Sequence, residues 1–555
     1  MNNNVNDLTF FFNLAIEKHR KNDFKDAEKN YINALEIDPL HFESTFYLAS
    51  LYAQTKNFLK SKDYFKKAIQ IKPNYSLNYS NLGAVLKELG NFEEAITACE
   101  KAIEIEPNNA ATLGNLGAVL KEIGKFGEAV IACEKAIEIE PNNLVANRNL
   151  ALTLIELGEI KQAIKCYKKI SKIEINPAKS YQNLGQLNVV LGDKKEAIRF
   201  FKLAIKNDPE SLDNYYQLFG IDKKILNNEL KDNIYKIISK SNQSNKNLAF
   251  ANFLLSKYEL NQKNYEKEFN YLLKAHECFL ASERKKYRND IEYWLETLPN
   301  SKELNNNKIL NNKYQSNVMP IFIVGVPRCG STLIEKVISS GSQHLETGEE
   351  IGTISVFIKK NIISKRSIYN YINDPGMELI EKYKQKKLIQ DKSNYIFTDK
   401  TLDNFFYIEF IKNVFPRAKI INCKREPVSA IMSILKNNLQ SIPWAHNIDH
   451  IFKYFDIYYK KINYFEKNYP KFVYTLNYEK FVNNPKTESK KLMKFCNLPW
   501  SKKCLEFYKR KDLISKTASN VQIRQAIYKD SSKKYLPYKK FLDKYGEKYS
   551  WYSKK

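Results

Sequence analysis

A repeat of 34 residues near the start of the chain is the strongest constraint on its fold. Two units are nearly identical: NLGAVLKELGNFEEAITACEKAIEIEPNN at 81–109 and NLGAVLKEIGKFGEAVIACEKAIEIEPNN at 115–143. The positions that recur at this spacing are Pro39, Pro73, Pro107 and Pro141; Gly90, Gly124, Gly158 and Gly192; and Ala95, Ala129, Ala163 and Ala197. A fixed period of this length predicts stacked copies of one structural unit, and therefore a solenoid.

Each unit has the apolar pattern of two amphipathic helices. Gly90 follows the first helix, where a residue with positive φ is often required. The pattern predicts a second helix from about Phe92 to Ile105, because the Pro-Asn-Asn that follows cannot continue a helix. The thiols of Cys99, Cys133 and Cys166 recur on the second helices and are expected to be small buried side chains.

This pattern resembles the tetratricopeptide repeat, and it covers about six units within residues 1–218. The resemblance implies a right-handed solenoid whose concave groove binds a peptide or protein partner. A spacer or dimerisation arm remains an alternative. Residues 219–300 stay helical but lose the period, and we interpret them as a degenerate repeat that serves as a connector. The Asn/Lys-rich stretch 301–318 is expected to be a linker.

A different pattern begins in the last part, 319–555. The runs PIFIVGV, KIINCK and FVYTLNY are short, apolar and rich in β-branched residues, and helical stretches separate them. Such alternation predicts a three-layer α/β domain built on a parallel sheet. The expected fold is therefore an all-α solenoid followed by an α/β domain of the P-loop-like type.

Charge and composition limit the function. The net charge is +27, and residues 1–218 contribute none of it because their 28 basic residues balance 28 acidic ones. The excess after residue 218 indicates either a positive field around an anionic ligand or a lysine-rich solvated surface. We find no nucleic-acid recognition motif. The sequence has no apolar run of about 18 residues and no recognisable signal peptide. Its eight cysteines show no CxxC spacing. These features predict a cytoplasmic protein.

An anion-binding turn is predicted in GVPRCGSTLIEKVIS, residues 325–339. A strand, a Gly/Pro turn and an amphipathic helix succeed one another, which directs backbone N–H groups and a helix N-terminus at one place. Arg328, Ser331 and Thr332 add side-chain donors, and Gly330 permits the tight turn. Gly325 and Gly330 have the spacing of a nucleotide-binding P-loop, but Ser331 stands where that loop requires lysine. An ordinary strand–helix turn is the structural alternative.

The stretch 327–333, PRCGSTL, resembles the 5′-phosphosulfate loop of sulfotransferases, PRSGTTL, with Cys329 in place of a serine. A second motif, KREP followed by a helix, places Arg425 eight residues before Ser433, as in the family's 3′-phosphate site. In TDKTLDNF, Lys400 matches the lysine that contacts the transferred sulfuryl group. The resemblance implies 3′-phosphoadenosine-5′-phosphosulfate (PAPS) as co-substrate, without a metal ion.

Three further positions follow from the resemblance to the catalytic half of tyrosylprotein sulfotransferases and to bacterial tetratricopeptide-repeat sulfotransferases. Tyr478 matches a tyrosine that contacts the cofactor. Ser519 and Lys534 match the serine and lysine of the family's C-terminal closing segment. Together with Arg328, Cys329, Gly330, Ser331, Thr332, Arg425 and Ser433, they form the expected cofactor-binding set.

A general base for the acceptor hydroxyl is expected in LETGEEIG. Its Gly-Glu-Glu resembles the stretch in which the second glutamate of tyrosylprotein sulfotransferases is the base, which implies Glu350. The interval from Arg328 is one residue longer here, so Glu349 remains possible, and His344 is the third candidate. Lys400 and Arg328 are the cations expected to stabilise the transition state.

The expected activity is transfer of a sulfuryl group to an acceptor hydroxyl, of a peptide or protein tyrosine or of a carbohydrate. The main alternative is a catalytically inactive repeat scaffold that binds other proteins. A kinase-like phosphotransferase is disfavoured, because the P-loop lysine is missing and the chain has a second predicted phosphate site.

Overall fold

Helix pairs follow one another from Asn2 to Asn207, which confirms the predicted helical solenoid. The computed structural model describes residues 2–301, 318–341, 345–363, 375–389, 396–510, 524–527 and 533–553. The six pairs are Asn2–Arg20 with Phe24–Ile37, Phe42–Gln54 with Phe58–Ile71, Ser76–Glu88 with Phe92–Ile105, Ala110–Glu122 with Phe126–Ile139, Leu144–Glu156 with Ile160–Ile173, and Ala178–Leu191 with Lys194–Asn207.

Small residues explain both the turns and the close packing within a pair. The turn glycines at 90, 124, 158 and 192 have φ values between 78° and 82°, as the sequence predicted. A Cβ atom on Gly117 would lie 2.4 Å from the sulfur of Cys133, so a larger residue would force the two helices apart. Cys99 and Cys133 are fully buried, but Cys166 is only half-buried, contrary to the expectation.

The chain divides into two compact units, with the division after Ser180. The second unit contains the rest of the sixth helix pair and further helices up to the region of residue 300. These helices are Leu212–Ile221, Asn228–Ile238, Asn245–Asn261, Tyr265–Ser282 and Arg284–Glu292, with a 3-10 turn at Lys223–Ile225 and a π-helical turn at Tyr293–Thr297. The predicted linker, apart from Ser301 and Val318, lies outside the described residues.

A parallel sheet forms the centre of the second unit, as predicted, and it has five strands among the described residues. The strands are β1 (Met319–Gly325), β2 (Glu346–Thr347), β3 (Ile396–Asp399), β4 (Lys419–Lys424) and β5 (Val473–Asn477), and their order is β2-β3-β1-β4-β5. β2 and β3 extend the sheet beyond the three apolar runs of the sequence.

Helices flank this sheet. They are Ser331–Gly341, Thr353–Ile363, Pro375–Gln385, Ile408–Val414, Pro427–Leu435, Ile448–Asn468, Tyr478–Asn483, Pro485–Phe495, Lys539–Gly546 and Ser550–Ser553, with 3-10 helices at Leu402–Tyr407, Pro443–His446, Lys502–Leu505, Phe507–Lys509 and Lys533–Tyr538. Within the described ranges, we find no helix with the length and apolar character needed to cross a bilayer.

The hydrophobic core of the second unit includes part of the helical region before the sheet. Phe253, Phe269 and Leu272 of that region belong to the same buried cluster as Ile321 and Phe322 of β1. Burial of large apolar side chains across both regions stabilises their association. The helices Asn245–Asn261 and Tyr265–Ser282 are therefore packed as part of the α/β structure.

Three adjacent strands end at the same edge of the sheet. β1 leads into the turn at 326–330, β3 leads to Lys400 and β4 leads to Arg425. The carboxyl ends of parallel strands are where ligands bind in open α/β sheets. The sheet therefore brings the three sequence motifs to one place.

Candidate functional site

The turn after β1 has the backbone of an anion-binding loop. A Cβ atom at Gly325 would lie 2.8 Å from the carbonyl oxygen of Cys423 on β4, so only glycine fits against the neighbouring strand. Arg328 and Gly330 have left-handed backbone conformations, with φ of 68° and 98°. For arginine this costs about 1 kcal/mol, and strain of this kind concentrates at ligand sites. The turn leads directly into the helix that begins at Ser331, where N–H groups are available to a ligand.

Both predicted arginines lie in one site. The Arg328 Nε donates to the Ser433 hydroxyl at 3.1 Å, and the Arg425 Nη1 donates to the Arg328 carbonyl oxygen at 2.8 Å. The Arg425 Nε is buried and has no hydrogen-bond partner among the described residues. A buried guanidinium N–H without a partner is costly, and an anion would satisfy it.

Tyr478 forms one wall of this site. The Arg425 guanidinium lies over its ring, 4.8 Å from the ring centre. A Cβ atom on Gly330 would lie only 2.4 Å from the ring carbon Cδ2, so the ring packs directly on the loop. The Tyr478 ring therefore packs against both Gly330 and Arg425, and it fixes their relative positions.

The side chain of Cys329 faces the protein interior. It is fully buried, near Gly325. Burial raises the pKa of the Cys329 thiol, but hydrogen bonds with Cys423 and Ser331 outweigh this effect and lower the pKa below its ordinary value. The hydroxyl-bearing residues Ser331 and Thr332 are also buried, at the first turn of the helix.

Lys400 lies at the end of β3 and contacts a candidate base. Its fully buried Nζ is 2.9 Å from the Glu350 Oε1, and the Glu350 side chain is 52% exposed. Burial lowers the pKa of Lys400, but the carboxylates of Glu350, Glu335 and Glu349 more than offset this effect and raise the pKa above its usual value. The Lys400 ammonium group therefore stays protonated, and its ion-pair partner Glu350 is accessible to solvent.

Glu349, in contrast to Glu350, faces the protein interior. Its Oε1 lies 3.1 Å from the Lys336 Nζ, and its side chain is only 13% exposed. Its backbone has φ of 49°, and its N–H donates to the Glu335 Oε1 at 3.2 Å. The left-handed backbone thus turns the two adjacent glutamates to opposite sides, Glu349 inward and Glu350 outward.

Glu335 and Lys336 were missed by the sequence analysis. Both are fully buried, and Glu335 also accepts a 2.8 Å hydrogen bond from the Thr398 hydroxyl. Burial raises the pKa of Glu335. Two adjacent charged residues within the apolar pattern IEKVI were the signal that could have identified them.

Asp399 holds the chain that presents Lys400. Its carboxylate accepts from the Tyr383 hydroxyl at 2.7 Å, from the Thr401 N–H at 3.0 Å and from the Asn404 amide at 3.2 Å. Nearby, burial together with the charges of Asp399 and Glu350 raises the pKa of Asp403 to about 7. These residues were also not predicted.

Three predicted positions cannot be placed in the site. Ser519 and His344 lie outside the described residues. Lys534 lies on the 3-10 helix Lys533–Tyr538, but its side chain is outside the described part of the structure. The structure thus brings together Arg328, Ser433, Arg425 and Tyr478 around the loop, and Lys400 with Glu350 at the end of β3.

Two parts of the chain match models of known families. Residues 320–502 match the sulfotransferase family. Five tetratricopeptide-repeat models match residues 12–76, 78–109, 98–131, 120–184 and 178–211.

An uncharacterized protein of Aquifex aeolicus (strain VF5) is 28% identical over 319 residues, which cover 53% of this chain and 40% of that protein. The match thus spans less than half the length of that relative. Among solved structures, a MamA protein is 26% identical over 31% of this chain and 94% of its own, with a TM-score of 0.27. PilF of Pseudomonas aeruginosa is 20% identical over 38% of this chain and 97% of its own, with a TM-score of 0.34.

Proposed function

Because the chain joins a sulfotransferase-family domain to tetratricopeptide repeats, we propose that it transfers a sulfuryl group from PAPS to an acceptor hydroxyl. The observation that carries this proposal is the position of Arg328, Lys400 and Arg425 after the ends of three adjacent strands. Ser433 contacts Arg328, and Glu350 contacts Lys400. A donor with two separate phosphate groups requires more cationic contacts than a single phosphate loop supplies.

The residues present fit such a donor. The turn at 326–330 and the hydroxyls of Ser331 and Thr332 would hold the 5′-phosphate. Arg425 and Ser433 would hold the 3′-phosphate, and the buried Arg425 Nε without a partner in the described chain supports an anion there. Tyr478 would lie beside the bound cofactor, and Cys329 would contribute its backbone, since its side chain faces inward.

The chemistry assigned to the side chains is proton removal and charge stabilisation. The donor, when bound, would supply an activated sulfuryl group. Glu350 accepts the proton of the acceptor hydroxyl as that oxygen forms its bond to sulfur. Lys400 and Arg328 offset the negative charge that grows on the phosphate oxygen as its bond to sulfur breaks. The 2.9 Å contact between Lys400 and Glu350 supports the placement of both groups at one reaction centre.

We further propose a peptide or protein as partner of the repeats, and a tyrosine or a sugar hydroxyl as acceptor. Asn81, Asn115 and Asn149 occupy the same position in three successive repeats and are half-buried. Amides in such a row suit the backbone of an extended peptide. All eight cysteines are free thiols, which supports a reducing, cytoplasmic environment.

Calorimetry with 3′-phosphoadenosine 5′-phosphate (PAP), compared with ATP, tests the donor assignment. Tight binding of PAP and weak binding of ATP is the expected result, and a preference for ATP contradicts the proposal. A screen of peptides and glycans with labelled PAPS then tests catalysis. Tight PAP binding without turnover of any acceptor would favour the inactive scaffold instead.

Replacing Gly330 with alanine is expected to weaken PAP binding at least about tenfold, because the new Cβ must displace the Tyr478 ring and strain a backbone with φ of 98°. Calorimetry measures the loss. Gly124→Ala is the matched control: Gly124 has φ of 82° but nothing within 4 Å of an added Cβ. PAP affinity equal in the two variants would contradict the role of the loop.

A further inference from the structure

The helix that carries Ser433, Pro427–Leu435, ends against helices that precede the α/β domain in sequence. The Leu435 carbonyl oxygen accepts from the His276 Nε2 at 2.9 Å, and the Lys436 carbonyl oxygen accepts from the Lys257 Nζ at 2.5 Å. The last carbonyl groups of a helix have no partner within it, so donors from outside stabilise its end. Side chains of the connector thus cap the helix of the proposed 3′-phosphate site.

Glu268, on the connector helix Tyr265–Ser282, makes a second and stronger connection. Its side chain is fully buried, and its Oε1 lies 2.9 Å from the Lys436 Nζ. Its Oε2 accepts from the Tyr538 hydroxyl at 2.5 Å, and Lys436 also donates to that hydroxyl at 2.6 Å. The Lys436 Nζ lies 4.2 Å from the centre of the Tyr538 ring. One carboxylate therefore connects two elements that are distant in sequence.

The first of these elements bears Ser433 of the proposed donor site, and the second bears Lys534, which the family resemblance predicts to contact the cofactor. Lys436 directly follows the helix of Ser433, and Tyr538 ends the 3-10 helix on which Lys534 lies. A buried ion pair fixes geometry strongly, since removal of one partner leaves an uncompensated charge in a low-dielectric interior.

A separate contact ties the same C-terminal stretch to the helical region. The Arg524 Nη2 donates to the Val190 carbonyl oxygen at 2.8 Å, and its guanidinium lies where a Cβ of Gly192 would be. The equivalent glycines of three earlier repeats have nothing within 4 Å of an added Cβ. The contact at Gly192 is therefore specific to this repeat.

We propose that Glu268 is a positioning residue for the donor site, which sets the helix of Ser433 through Lys436 and the C-terminal 3-10 helix through Tyr538. This inference rests on the proposed function. It makes the helical connector part of the machinery that recognises the 3′-phosphate, although no connector residue need touch the donor.

Glu268→Gln tests this inference by calorimetry on the full chain with two ligands: PAP, and adenosine 5′-monophosphate, which lacks the 3′-phosphate. We expect the variant to lose about tenfold in PAP affinity and to keep its affinity for the monophosphate within about twofold. Asp543→Asn is the control, because Asp543 also contacts a lysine and a tyrosine, Lys539 and Tyr552, at 2.7 and 2.8 Å, but this pair is partly exposed and no proposed phosphate contact involves it. Its preference for PAP should equal that of the wild type.

The outcomes separate the two proposals. If the wild type binds PAP no better than the monophosphate, the proposed function fails. If the wild type prefers PAP and Glu268→Gln keeps the same preference, or weakens both ligands equally, the positioning role is overturned. Should Glu268→Gln not fold, Tyr538→Phe removes only the hydroxyl contact and keeps the ring. It should reduce the preference for PAP in the same direction, and an unchanged preference overturns the inference as well.

Discussion

Lys400→Ala is expected to lower kcat about a thousandfold while PAP affinity stays within about threefold of the wild type. Lys400 is the proposed cation of the reaction centre, fully buried and 2.9 Å from the proposed base. Its loss removes a preorganised charge where negative charge develops in the transition state. Steady-state kinetics with labelled PAPS measure the first effect, and calorimetry with PAP measures the second.

The separation of the two effects follows from the geometry. The loop at 326–330 follows β1, Arg425 follows β4, and Ser433 lies on the helix after Arg425; these groups would carry the phosphate contacts of PAP. Lys400 follows β3, and its side chain donates to Glu350 at 2.9 Å. Removal of Lys400 should therefore spare the phosphate sites. A near-normal kcat would exclude Lys400 from the mechanism.

Lys336→Met is the matched control for loss of a buried lysine. Lys336 is also fully buried, and its ion pair is with the inward-facing Glu349, at 3.1 Å. We expect this variant to lose thermal stability, because Glu349 is left without its cation, and to keep kcat within about tenfold of the wild type. If Lys336→Met and Lys400→Ala lowered kcat equally, the effect of Lys400 would be one of general stability.

The repeats and the anion loop could be predicted from the sequence because both rest on local rules. Period and turn chemistry fix the helix pairs, and the second helix of the third pair runs from Phe92 to Ile105 as predicted. The loop likewise depends on neighbouring residues, Gly325 to Ser331, between an apolar strand and an amphipathic helix. In each case the information lies within a single supersecondary unit.

The rest of the site depends on contacts between distant parts of the chain. Glu268 meets Lys436 and Tyr538 across 168 and 270 residues, and no local pattern encodes such a meeting. The orientations of the Glu349 and Glu350 side chains depend on the positive φ at Glu349, which the segment LETGEEIG does not predict. Glu335 and Lys336 have a local signal, but their partners Thr398 and Glu349 come from two other elements.

The second large expected effect on kcat concerns which of the two adjacent glutamates is the general base. Glu350→Gln is expected to lower kcat by about 10² to 10³, because glutamine cannot accept the proton of the acceptor hydroxyl. PAP affinity should change little, since Glu350 is not among the proposed phosphate contacts. Glu350 is the half-exposed member of the pair and the one in contact with Lys400, so an acceptor can reach it.

Glu349→Gln separates this role from a structural one. Glu349 is turned toward the interior and paired with Lys336, so its substitution should lower thermal stability more than kcat. Single-turnover measurements with preformed enzyme–PAPS complex isolate the chemical step from binding and product release. A larger loss in that step for Glu349→Gln than for Glu350→Gln would reverse the assignment. It would also require the Glu349 carboxylate to leave its 3.1 Å contact with Lys336 when an acceptor binds, because that contact holds the side chain in the interior.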